Sequence, residues 1–251
     1  MTSKLLRSGL AAVMLALPAL SGCALFKTPQ PLTAEAAYER GMEAYRTQRW
    51  GRAATLLQTW VDASAGDPRL PEALYALGMA RMETGEYLLA ASTMLRIVTD
   101  YPSHALQTDA RFRTCQAYQR LSPRAQLDQE NTHTALLYCE SYAQYYPQTP
   151  QADTARQWVA EMQEKLARKE FDAGSWYARR GFLDAAVIYF QRAADEYPGT
   201  AVAPAALVRL AETYDRLGYK EEAEEARARL RRDFPQSPEA RSPPTGTPTP
   251  S

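Results

Sequence analysis

The stretch Gly78–Pro102, GMARMETGEYLLAASTMLRIVTDYP, decides the fold. It holds glycine at 78 and 85, alanine at 90 and an aromatic-proline pair at Tyr101-Pro102, and the same column of residues returns along the chain. The pair recurs as Tyr146-Pro147, Tyr197-Pro198 and Phe234-Pro235, and twelve residues before each of the four prolines stands an alanine: Ala90, Ala135, Ala186 and Ala223. Seventeen residues before lies glycine in three of the four (Gly85, Gly181, Gly218), and twenty-four before lies a small residue in the same three (Gly78, Gly174, Ala211). An earlier unit lacks the pair but keeps Gly41 and Ala53, again twelve apart. Self-similarity at a fixed interval marks an array in which each unit buries its apolar face on the next, here with five units.

Those units are helical. Between residues 34 and 238 the chain is rich in Ala, Leu, Arg, Glu and Gln, with Pro and Gly confined to punctuating sites. In Ala205–Tyr214 the residues Ala206, Leu210, Ala211 and Tyr214 share one helical face, and no strand-like alternation competes. Small residues where two helices cross and a proline ending the second resemble the tetratricopeptide repeat. The resemblance implies an all-α chain, an α-solenoid of about five tetratricopeptide hairpins with a concave binding surface.

Two insertions break the register. Ser122–Gln129 adds about eight residues to the 34-residue template and predicts a longer loop inside the third hairpin. Between Pro147 and Pro198 the spacing is 51 residues, and Gln151–Arg180 holds no proline, which predicts one long helix, with two shorter helices as the alternative, joining three N-terminal hairpins (34–150) to two C-terminal ones (151–238).

The ends differ from the middle. Lys4 and Arg7 precede an apolar run from Leu10 to Leu20, the pattern of an export signal over 1–22 and shorter than the roughly 20 apolar residues of a membrane span. Leu20-Ser21-Gly22-Cys23 resembles a lipobox, which makes Cys23 the acylated first residue of the mature chain; an ordinary signal with an incidental cysteine is the alternative. Residues 23–33, with Pro29 and Pro31, read as anchor and tether, and 239–251, rich in Pro and Thr, as a disordered tail.

Asp128-Gln129, Thr134-Ala135, Tyr142, Tyr146-Pro147, Leu166-Ala167, Glu170, Trp176-Tyr177 and Arg180-Gly181, together with lipobox, insertion and long helix, resemble the BamD family of the outer-membrane β-barrel assembly machinery. The resemblance implies a lipid-anchored protein on the periplasmic face of the outer membrane. It also implies partners: nascent outer-membrane proteins, a barrel-forming subunit with periplasmic domains, and other assembly lipoproteins. In tetratricopeptide grooves the first helix of each hairpin faces the ligand. That assigns Tyr38, Met42, Tyr45 and Arg46, then Tyr75, Met79 and Met82, then Phe112, Gln116 and Arg120 to the groove, with packing between helices as the competing role for each. Trp176, Tyr177 and Tyr189 fall to partner docking by the C-terminal hairpins; the family has arginine where Tyr189 stands. A generic tetratricopeptide lipoprotein adaptor, of pilus assembly or another envelope complex, shares the repeats but not the two insertions.

Other functions find little support. Lys plus Arg total 29 and Asp plus Glu total 29, which gives no basic surface for nucleic acid. The histidines are His104 and His133 alone, in no metal-ligand spacing, and no phosphate-cradling glycine loop occurs, so no enzyme, cofactor or metal is expected. Cys115 and Cys139 fall on the two helices of the third hairpin, both toward their interface. A disulfide and a pair of buried thiols both fit.

Overall fold

The computed structural model describes residues 32–241. Cys23, with the signal and most of the tether, and residues 242–251 of the tail lie outside the described residues. Those described form eleven helices and no strand: α1 (Ala34–Arg46), α2 (Trp50–Ala63), α3 (Leu70–Glu83), α4 (Tyr87–Asp100), α5 (Gln107–Leu121), α6 (Glu130–Tyr145), α7 (Pro150–Arg179), α8 (Leu183–Asp195), α9 (Val202–Leu217), α10 (Lys220–Asp233) and α11 (Pro238–Arg241). Substantial packing joins only helices one or two apart in the chain, as in α1 with α3, α5 with α7 and α7 with α9. Such nearest-neighbour packing defines a solenoid.

Five hairpins build it: α1/α2, α3/α4, α5/α6, the C-terminal half of α7 with α8, and α9/α10. The turn within a hairpin needs one left-handed residue, and Gly85, Gly181 and Gly218 supply it at φ of 80°, 81° and 84°. Gln48 holds the same register position, five before Ala53, and takes φ of 57° there. In the third hairpin residues 122–129 replace the tight turn.

The helices of a hairpin cross where a glycine meets a large side chain sixteen residues on. A Cβ on Gly41 would lie 2.9 Å from Leu57, one on Gly78 2.6 Å from Met94 and one on Gly174 2.8 Å from the Phe190 ring. Cys115 and Cys139 occupy this crossing in the third hairpin, where the insertion widens the interval to 24, and they are joined in a disulfide with Cα atoms 4.8 Å apart. Both are fully buried.

Four core clusters follow the chain, a small one of Met82, Ala90, Ala91 and Ala117 and three larger ones. Leu57, Trp60, Leu74, Leu77 and Met94 fill the first two hairpins. Phe112, Tyr142 and Met162 join the third to α7, and Phe190, Leu207 and Leu210 fill the last two. Helix α11 takes in Glu239-Ala240-Arg241, which the sequence reading gives to the tail; Ala240 packs on the last cluster and holds this turn in place.

Candidate partner-binding surfaces

The first surface lies on α1, α3 and α5. Tyr38, Met42 and Tyr45 are half-buried on α1 and Arg46 is exposed, with a cavity of about 460 Å³ over Tyr38, Met42, Glu43 and Arg46. Tyr38 packs on Trp60 at 4.8 Å between ring centres, and the Arg69 guanidinium lies 4.4 Å above the Tyr38 ring. Arg69 also donates to both Glu35 oxygens (2.8 and 3.0 Å) and to Asp67 (2.9 Å), tying the start of α3 to the first turn of α1. These bonds hold the Glu35 and Asp67 carboxyls below their usual range.

Further along, Tyr75 donates to Asp109 of α5, and Arg113 donates to Asp109 (3.4 Å) and to Gln116 (2.9 Å). Burial, with the Asp109 carboxylate beside it, pushes the Tyr75 phenol up to about 12. Met79 is half-buried and Arg120 exposed.

Two groove assignments need correction. Met82 is 9% exposed because the small residues Ala90, Ala91 and Ala117 let it sink between helices. Phe112 is 6% exposed, packed on Tyr142 (5.3 Å) and stacked on Trp158 of α7 (5.5 Å, 13°). Both are core residues. Conversely, Asp109 and Arg113 belong to this surface and went unassigned. The 37-residue step from Gly41 to Gly78 to Cys115 would have placed Asp109 in a column with Glu35 and Glu72.

The second surface is an aromatic cleft of about 410 Å³ where α7, α8 and the 122–129 loop meet. Trp176, Tyr177 and Tyr189 come together there: Tyr177 stacks on Tyr189 (5.2 Å, 10°), and Trp176 meets Tyr177 edge-on (4.8 Å, 82°). Trp176 is 42% exposed, with Arg180 3.7 Å above its ring. Phe182, 59% exposed, lies edge-on to Tyr177 at 6.3 Å. Ala125 and Gln126 of the inserted loop also line the cleft, with Lys169, Asp172 and Ala173. Exposed aromatic rings in a concavity, rimmed by polar groups, are the usual anchor points of protein partners.

No helix among the described residues is long and apolar enough to cross a membrane.

The outer membrane protein assembly factor BamD of Caulobacter vibrioides is 30% identical over 158 residues, 63% of this chain and 52% of that protein, so the match spans about half the length of that relative. Among solved structures, TTC0263, a tetratricopeptide protein of Thermus thermophilus, is 20% identical with a TM-score of 0.35, covering 83% of this chain and 95% of that one. MamA of Desulfovibrio magneticus RS-1 is 18% identical with a TM-score of 0.35, covering 86% and 100%. The YfiO model, which describes an outer membrane lipoprotein, matches residues 31–230, and the chain therefore belongs to the YfiO family of outer membrane lipoproteins.

Proposed function

We propose that the chain is a scaffold of the machinery that folds β-barrel proteins into the outer membrane, held on its periplasmic face by lipid on Cys23. The family match over residues 31–230 carries this reading, and the assembly role in the name of the Caulobacter relative gives it direction. In this reading α1, α3 and α5 offer Tyr38, Met42, Tyr45, Arg46, Tyr75 and Met79 to segments of nascent outer-membrane proteins, with Gln116 and Arg120 at the far end. Methionine, tyrosine and arginine suit varied unfolded sequences, because flexible thioethers and planar amphipathic groups adapt to different side chains. The cleft at Trp176, Tyr177 and Tyr189 docks the periplasmic domains of the barrel-forming subunit, and other assembly lipoproteins join the same complex. An acyl anchor suits a fold that must face the periplasm without crossing the membrane, since several acyl chains hold a protein stably at about 0.8 kcal/mol per buried CH₂.

Capture from membranes in mild detergent, through a tag after Ser251, tests the whole reading. The expected co-purifying protein is a large β-barrel with periplasmic repeats, with Cys23 found acylated by mass spectrometry. Recovery of pilus or cell-wall proteins in its place would replace the assembly role with the adaptor role.

A further inference from the structure

Helix α7 belongs to both halves of the solenoid. Its 30 residues, about 45 Å, pack first on the third hairpin and then form the fourth with α8. The apolar cluster of the third hairpin takes in α7 as far as Met162, and the cluster of the last two begins at Phe171. Leu166 and Ala167, between them, are buried yet belong to neither. Helices α5 and α6 pack substantially on α7 and, among the described residues, on no later helix. The halves thus meet at a seam, residues 163–170, that no shared apolar core spans. Parts joined without a large apolar interface move relative to one another by default.

The inserted 122–129 loop crosses that seam. It is rooted in the third hairpin, where the Ser122 and Thr132 hydroxyls lie 2.6 Å apart across its base. Gln129, 5% exposed, donates from its amide to the carbonyls of Arg124 (2.8 Å) and Leu127 (2.9 Å) and accepts from Thr132 (2.8 Å), which gives the loop a fixed shape. Inside the seam Lys165 donates to the Ser122 hydroxyl and to the Pro123 carbonyl (2.9 Å), and one turn later Lys169 donates to the Leu127 carbonyl (2.8 Å). Hydrogen bonds from a charged donor are the stronger kind. Beyond the seam, Ala125 and Gln126 line the cleft together with Trp176, Tyr177 and Tyr189 of the fourth hairpin. A loop that only connected α5 to α6 would need no bond to α7.

We propose that this loop is a strap across the seam: it fixes the angle between the three N-terminal hairpins and the two C-terminal ones, and with it the position of the α1, α3 and α5 surface relative to the aromatic cleft. Lys165 and Lys169 are its positioning residues, and Gln129 keeps it in shape. The strap acts whatever fills either surface, so it does not depend on the docking role given to the cleft above.

Distances between paired nitroxide labels on the full-length protein in detergent micelles test this. The labels are carried on p-acetylphenylalanine, which leaves the cysteines untouched. One pair spans the seam, at residue 96 on α4 and residue 231 on α10; the other, at 52 on α2 and 96, lies within the first two hairpins. Arg52, Arg96 and Arg231 are all exposed. Both distance distributions should be narrow in the unstrained starting chain. Lys165→Met with Lys169→Met should widen the 96–231 distribution by about 1.5-fold or more and leave the 52–96 distribution as it was, since motion is the default once the strap is loose. Gln129→Ala, which keeps both lysines and removes the bonds that shape the loop, should widen the 96–231 distribution in the same way. A 96–231 distribution as narrow in both variants as in the starting chain, or already wide before any change, would overturn the strap. Equal widening of the 52–96 pair would overturn it as well, by showing a general loss of packing in place of a freed seam.

Discussion

Replacing Cys115 and Cys139 by alanine removes the disulfide that cross-links α5 and α6, and its cost follows from the interval it closes. The bridge spans 24 residues. Opening a loop of that length releases chain entropy to the unfolded state worth about 3.5 kcal/mol. The alanines also leave a void where two fully buried sulfurs met, adding about 1 kcal/mol or more. Reduction of the unchanged protein costs only the first part, since the thiols still fill the crossing. In a solenoid the loss stays near its source, because each hairpin contacts only its neighbours. Amide hydrogen exchange read by mass spectrometry separates these effects. In the double alanine variant α5 and α6 should exchange faster by about 2000-fold or more, in the reduced protein by about 400-fold, and α10 should be unchanged in both. Exchange in α5 and α6 within about threefold of the starting protein, or equal acceleration of α10, would refute the reasoning.

The hairpin crossings predict a contrast between glycines. Gly174→Ala should destabilise by about 1 kcal/mol in urea, because crowding Phe190 costs more than the gain in helix propensity returns, whereas Gly78→Ala should be near neutral because the mobile end of Met94 can swing aside. The Arg69 cluster predicts fraying of α1 in acid. Glu35 and Asp67 have depressed folded values, so their contribution is complete above the ordinary carboxylate range and is lost as pH falls through those values; exchange in Ala34–Arg46 should rise there, and Arg69→Met should abolish the pH dependence. In the proposed groove, Tyr45→Ala with Arg46→Glu should weaken binding of a fluorescent outer-membrane-protein peptide by about tenfold or more with helicity retained, since each residue is a typical hot spot.

The hairpin architecture was legible because tight crossings leave a compositional trace. Gly41, Gly78 and Gly174 are small for a steric reason, and the spacing of the alanines and prolines repeats with them. Gln48 shows where that trace fades: its left-handed turn is held by the surrounding hairpin and not by its own residue type. Depth within a face is harder to read than the face itself. Met82 follows Met79 on the same side of α3, yet it sinks into the core because its neighbours are alanines from α4 and α5, and Phe112 is covered by Trp158, 46 residues on. The cysteine pair left two readings open, because register places two sulfurs at one crossing without saying whether they bond. The lysine clamps on the loop join residues more than 40 apart, a relation between loop and helix that no periodicity records.

If this stack of hairpins holds a barrel-forming partner through its aromatic cleft, the rings of that cleft must decide whether the partner is retained. Quantitative capture from membranes, comparing the unchanged chain with Trp176→Ala plus Tyr189→Ala at equal helicity and equal membrane association, tests this most directly. The large β-barrel protein should be recovered with the first and lost by about tenfold or more with the second, while peptide binding at α1 and α3 persists. Equal recovery with both chains would contradict the proposed docking.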